Sequence, residues 1–196
     1  MLIRVGRPAR WGAAVTALAA MLCAAGAGPA AAGPNERTQN QVRAGGQAPG
    51  QEPSGWQPLH TAPFEQKAGD VCSFALKGDI VQDGERIRTL AWDTAGRPTV
   101  QQVTGPLTIR FTNESTGASV VRAVPGIATI QYHPDGSQTW AGSGHMAVAF
   151  HSGNPYHAPG EYILNGRIDL ELHPGVGAEL TSLKGTSENL CDTLAG

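Results

Sequence analysis

The chain has 196 residues, of which 40% are hydrophobic, 6% aromatic and 15% charged, with 26 Gly and 14 Pro. That length holds one domain and a tail, and the Gly and Pro load argues against a helical bundle or coiled coil. A formal charge of −2 excludes the basic footprint of a nucleic-acid binder.

In chain order, the first predicted element is an export signal over residues 1–33. Arg4, Arg7 and Arg10 form a positive stretch, Trp11 to Ala25 is apolar and Ala-rich, and Ala30-Ala31-Ala32 offers small residues for cleavage before Gly33 or Pro34. The apolar run is shorter than the roughly 20 residues that span hydrocarbon, so no stable membrane anchor is expected after cleavage. Leu22 before Cys23 fits a lipid-attachment motif poorly, and no Arg-Arg pair is present. The general secretory route and a released, extracellular protein are therefore expected. Losing the three signal arginines takes the formal charge from −2 to −5, which favours solubility and repels anionic partners.

Residues 34–70 are rich in Gln, Gly and Pro and read as a disordered linker. Trp56, Leu59 and Phe64 are its apolar exceptions, expected to pack loosely on the domain edge. Residues 71–196 form the predicted domain. With Cys23 removed, Cys72 and Cys191 remain. In an oxidising compartment this pair reads as one disulfide tying the start of the domain to its tail.

From Val71 onward the dominant pattern has period two. Leu107, Ile109 and Phe111 alternate with Thr108, Arg110 and Thr112, and Tyr162, Leu164, Ile168, Leu170 and Leu172 form a longer apolar row. Trp140, Met146, Val148 and Phe150 make a third. Turn residues at Asp83-Gly84, Asp93 to Gly96, Asn113 to Gly117 and His133 to Gly136 punctuate the pattern. Strands are predicted near 72–80, 86–93, 98–104, 106–112, 118–124, 127–133, 137–150, 161–173 and 178–184. The fold class is all-β, with an antiparallel up-and-down β-barrel of about eight or nine strands expected and a two-sheet β-sandwich as the alternative. Gly142, Gly144 and Gly166, inside strands, mark bends or close packing.

The Cys72-Ser73-Phe74 opening, Thr104 to Asn113, His133-Pro134-Asp135-Gly136, Trp140 to Gly144, Asn165 to Ile168 and a Cys near the end together resemble uncharacterised small secreted proteins of actinobacteria. The resemblance covers residues 71–190 and implies secretion and a β-barrel-like fold, with no activity implied. The strand count is also similar to the small barrels of the lipocalin, allene oxide cyclase and dirigent groups, a likeness of fold alone.

Three groups of residues carry candidate chemistry. Ser143 and His145 share a strand face and Asp135 precedes them by a hairpin, but same-strand neighbours two apart stand about 6–7 Å from each other. Gly142-Ser143-Gly144 does not complete a nucleophile elbow either, so a small polar strand face is the competing reading. His145, His151 and His157, with His133, form the densest histidine run, a weak zinc candidate because no metal-ligand spacing occurs. Glu161, Asp169 and Glu171 share one face with Arg167 and read as the wet exterior of a strand. Asn113-Glu114-Ser115 matches a glycosylation sequon but also reads as a turn.

No cofactor is expected. The functional expectation is a secreted, non-catalytic β-barrel protein binding a small apolar ligand or an extracellular protein. The alternatives are a cyclase- or isomerase-type enzyme using the barrel cavity, and a structural, surface-associated protein tethered by residues 34–70.

Overall fold

Alternating apolar residues between short polar turns give each segment one dry face, and such strands become stable only when paired and stacked. We describe the protein from a computed structural model, which defines Leu2, Ile3 and residues 52–196. The expected signal over 1–33, apart from Leu2 and Ile3, and the linker over 34–51 lie outside the described residues.

The elements in chain order are β1 (Leu2–Ile3), β2 (Gln57–Pro58), β3 (Phe64–Gln66), β4 (Leu76–Asp83), β5 (Arg86–Trp92) and β6 (Pro98–Gly105). They continue with β7 (Leu107–Asn113), β8 (Ser119–Ala123), β9 (Gly126–Tyr132), β10 (Gln138–Phe150), β11 (Gly160–His173), β12 (Gly177–Asn189) and the single-turn α1 (Leu190–Thr193). Each of the nine predicted strands has its counterpart among β4 to β12. Ordered structure also begins before residue 71, because β2 pairs with β5 and β3 pairs with β4. Phe64 and Gln66 are buried there, so residues 52–70 belong to the folded domain.

The strands form two sheets, and the expected barrel does not close. The larger sheet runs β12-β11-β10-β9-β6-β5-β2, with β1 added in parallel against Ala147 and Val148 of β10, and the smaller runs β3-β4-β7-β8. All-β architecture with two antiparallel sheets is the sandwich alternative. The physical reason lies in a row of glycines. Gly105 of β6 pairs with Gly126 of β9, Gly126 with Gly144 of β10, Gly144 with Gly166 of β11, and Gly166 with Gly185 of β12. Gly105, Gly144 and Gly166 have φ of +131°, +95° and +129°, values that side-chain-bearing residues avoid. A Cβ at Gly126 would lie 2.7 Å from the His145 carbonyl oxygen, and one at Gly144 would lie 2.8 Å from that of Pro125. At Gly166 and Gly185 it would run into the carbonyls of Lys184 and Asn165.

At this row β6 and β9 end. Their chains pass through Pro106 and from Pro125, so β7 and β8 pair in the second sheet. Only β10, β11 and β12 continue past the line, and the larger sheet folds over along it. A straight β11 would put its two ends about 40 Å apart. Instead, the loop between β10 and β11 reaches the start of β12. There Asn154 Nδ2 donates to the Ala178 carbonyl at 2.8 Å, and the Leu180 amide donates to His157 Nε2 at 2.9 Å.

Two apolar clusters result. Inside the folded sheet, Val103, Ala128, Ile130, Met146, Val148, Phe150, Leu164, Ile168 and Leu170 are buried together. Between the far arms and the smaller sheet lie Phe64, Leu76, Leu107, Ile109, Phe111, Ala147, Ala149 and Ile163. Leu190 and Leu194, in and just after α1, close that second cluster, and Asn113 Nδ2 donates to the Leu194 carbonyl at 2.9 Å. Cys72 and Cys191 form a disulfide beside it. On one flank Arg122 of β8 grips Glu188 of β12 with two hydrogen bonds, at 2.8 and 2.6 Å, linking the edges of the two sheets.

Candidate functional site

Two β-hairpins at one end of the larger sheet bring histidine, carboxylate and hydroxyl side chains together. Between β9 and β10 the turn His133 to Ser137 is closed by the His133 amide on the Ser137 carbonyl at 2.9 Å, with Gly136 at φ +85°. Asp135 Oδ1 accepts from the Ser137 hydroxyl at 2.7 Å and from its amide at 2.9 Å. Those two bonds hold the Asp135 carboxyl below its ordinary value. His133 Nε2 lies 2.8 Å from Thr139 Oγ1. Together with Glu171 these residues line an open cleft of about 510 Å³, whose other walls are Pro134, Ser137 and Gln138.

The second hairpin joins β11 to β12 through Pro174-Gly175-Val176, with Gly175 at φ +71° as a three-residue loop requires. This turn sets a register in which Glu171 lies directly opposite Glu179 and His173 opposite Gly177. Thr139 flanks Glu171 on the other side. His173 Nε2 stands 3.3 Å from Glu179 Oε2 and 3.8 Å from Glu171 Oε2. Among the described residues, these three form the single set of His, Cys, Asp or Glu side chains with ligand-type atoms all within 4.8 Å of one another. The Tyr156 ring lies against His173, with centroids 5.0 Å apart, and fixes one side of the imidazole.

The sequence-predicted candidates are dispersed differently. Ser143 and His145 lie two apart on β10, facing Arg167 and Asn165 of β11 in register, while Asp135 is engaged by Ser137 in the hairpin. His145, His151 and His157 do not form a ligand group. His157 Nε2 receives the Leu180 amide and its ring packs on Phe150 at 4.4 Å. His151 Nδ1 pairs with Asp70 Oδ2 at 2.9 Å, and the Ser152 amide donates to the Asp70 carbonyl oxygen at 2.6 Å. Burial pulls the Asp70 carboxyl upward, but its bonds with His151 and Ser152 outweigh that and leave it lowered.

The carboxylate row also divides. Glu161 is not on a wet exterior: it is fully buried between the sheets, where Gln66 Nε2 donates to its Oε2 at 3.3 Å. The reason is its position beyond the glycine row, where the outer face of β11 is covered by the smaller sheet. Asn113 of the sequon is buried on Leu194, which places it in structure and not on an accessible loop.

His173 and Glu179 were missed by sequence reasoning. The signal that could have found them is the Pro174-Gly175 turn, which sets the pairing of the two strands. No protein-family model, curated protein or solved structure matches the chain.

Proposed function

We propose that the chain is an exported binding protein that acts at its surface, receiving a small polar ligand or the polar side chains of an extracellular partner in the cleft at the β9–β10 hairpin. The observation that carries this reading is the contrast between interior and cleft. Met146, Val148 and Phe150 are buried in an apolar cluster against which Trp140 packs, so the larger sheet uses this apolar face for packing. The cleft is lined by His133, Asp135, Ser137, Gln138, Thr139 and Glu171, a set of donors and acceptors that suits hydroxyl, amide or ammonium groups more than hydrocarbon. Trp140 Nε1 donates to Gln138 Oε1 at 2.9 Å and holds that lining residue in place. Export is supported by the signal-like residues 1–33 and by a disulfide of the sort that oxidising compartments maintain.

The test is in two arms. N-terminal sequencing of protein recovered from culture medium should begin at Gly33 or Pro34, so that the exported form lacks β1 and keeps the strand path from β12 to β2. Nuclear magnetic resonance titration of that protein with a panel of mono- and disaccharides, amino acids and simple polyamines should shift amides of residues 133–139 and 171. Shifts that instead centre on the Met146 to Phe150 cluster, produced by fatty acids or other apolar probes, would restore the interior-ligand reading.

A further inference from the structure

The geometry points to a divalent transition-metal site of the zinc type at Glu171, His173 and Glu179. This inference stands apart from the cleft ligand just proposed, sharing with it only Glu171. Zinc takes imidazole nitrogen and carboxylate oxygen at about 2.0–2.2 Å. Two ligands at tetrahedral angles around such an ion stand about 3.3–3.5 Å from each other. The His173–Glu179 separation of 3.3 Å falls in that range, and the His173–Glu171 separation of 3.8 Å needs only a small inward turn of one carboxylate.

The backbone favours the arrangement as well. Glu171 and His173 are two apart on β11 and so share a face, while Glu179 is the cross-strand partner of Glu171. Paired strands and a tight Pro-Gly turn carry all three ligands, a more rigid platform than a loop. Charge adds a further reason. Two carboxylates lie side by side, and among the described residues neither has a lysine or arginine within ion-pair distance; His173 alone stands between them. A divalent ion would neutralise both, with His173 binding as the neutral imidazole.

Three protein ligands leave a fourth position open. Glu171 also lines the cleft of His133, Asp135 and Thr139, so an ion here would sit at its margin with a coordination site for water or for a ligand's oxygen. The mixed nitrogen and oxygen set, with few ligands, suits zinc over calcium, which takes six to eight oxygens.

The test uses the full exported chain, stripped with EDTA and dialysed. Isothermal titration with Zn²⁺ should show one ion per chain, and Zn²⁺ should raise the melting temperature. His173→Ala and the shape-preserving Glu179→Gln should each weaken binding at least about tenfold, while melting near wild type in EDTA. His151→Ala and His157→Ala should bind zinc as wild type does. No zinc binding, one-to-one binding that survives both His173→Ala and Glu179→Gln, or equal affinity for Ca²⁺ would overturn the site. Zinc binding without any response of residues 133–139 to the polar probes would sink the cleft reading alone.

Discussion

The Cys72–Cys191 disulfide should be the largest single covalent contribution to stability, and its size follows from where it closes the chain. Its two ends are 119 positions apart in sequence. In the chain-entropy treatment a loop of about 120 residues removes about 16 cal/mol/K from the unfolded chain, or about 5 kcal/mol at 25 °C. For a domain of about 145 described residues, at about 2 cal/mol/K of unfolding entropy per residue, that corresponds to a melting shift of roughly 15 °C. The double variant Cys72→Ala/Cys191→Ala tests it by urea denaturation beside the oxidised wild type. The entropic argument makes a second demand. Because the open chain is more expanded when unfolded, the variant should show a steeper denaturant dependence as well as a lower midpoint. A loss below about 2 kcal/mol with an unchanged slope would refute the reasoning, and would mean that Leu190 and Leu194 hold the tail in place without the bond.

Two further outcomes are expected. Gly166→Ala should cost at least about 3 kcal/mol, since a side chain there meets the Lys184 carbonyl. Gly153→Ala, also at positive φ (+82°) but with nothing within 4 Å, should cost only about 1–2 kcal/mol; equal losses in thermal melts would show that φ and not close approach decides. Glu188 is held below the usual carboxylate range by its hydrogen bonds from Arg122, with Thr193 adding to the effect. A carboxyl lowered in the folded state stabilises above the unfolded value of about 4.3 and loses that contribution as pH falls through the folded one. With both side chains about one-third exposed, Glu188→Gln should cost about 1 kcal/mol at pH 7. The difference from wild type should vanish in urea midpoints near pH 2, and a pH-independent difference would sink the assignment.

Strand positions were legible because their cause is local. The alternation from Tyr162 to Leu172 marks a face along one strand, and β11 does span Gly160–His173. Closure was not legible. Gly144 and Gly166 can be read as bends within their own strands, yet their meaning comes from standing opposite Gly126 and Gly185, which is information about pairing. The early strands escaped for another reason. In β3 only Phe64 and Gln66 face inward, too few positions to show a period, and the surrounding Gln and Pro composition reads as linker. Of the candidate site, Glu171 was visible as one carboxylate among several. Its companions His173 and Glu179 became neighbours only through the register of one hairpin.

The glycine row has a consequence for how this domain can change length. Gly105, Gly126, Gly144, Gly166 and Gly185 must stay side by side across five strands. One residue added or removed between a glycine and the nearest hairpin tip would slide that strand's glycine out of line and set a side chain against a neighbour's backbone, unless a bulge takes it up, as at Thr181 between the Asp169–Ser182 and Leu170–Leu180 pairs. Changes in length are thus confined to the tips and to such bulges, while the regularly paired stretches beside the crease keep their count. The sheet is ruled like a page, with its margins and its bulges free to vary.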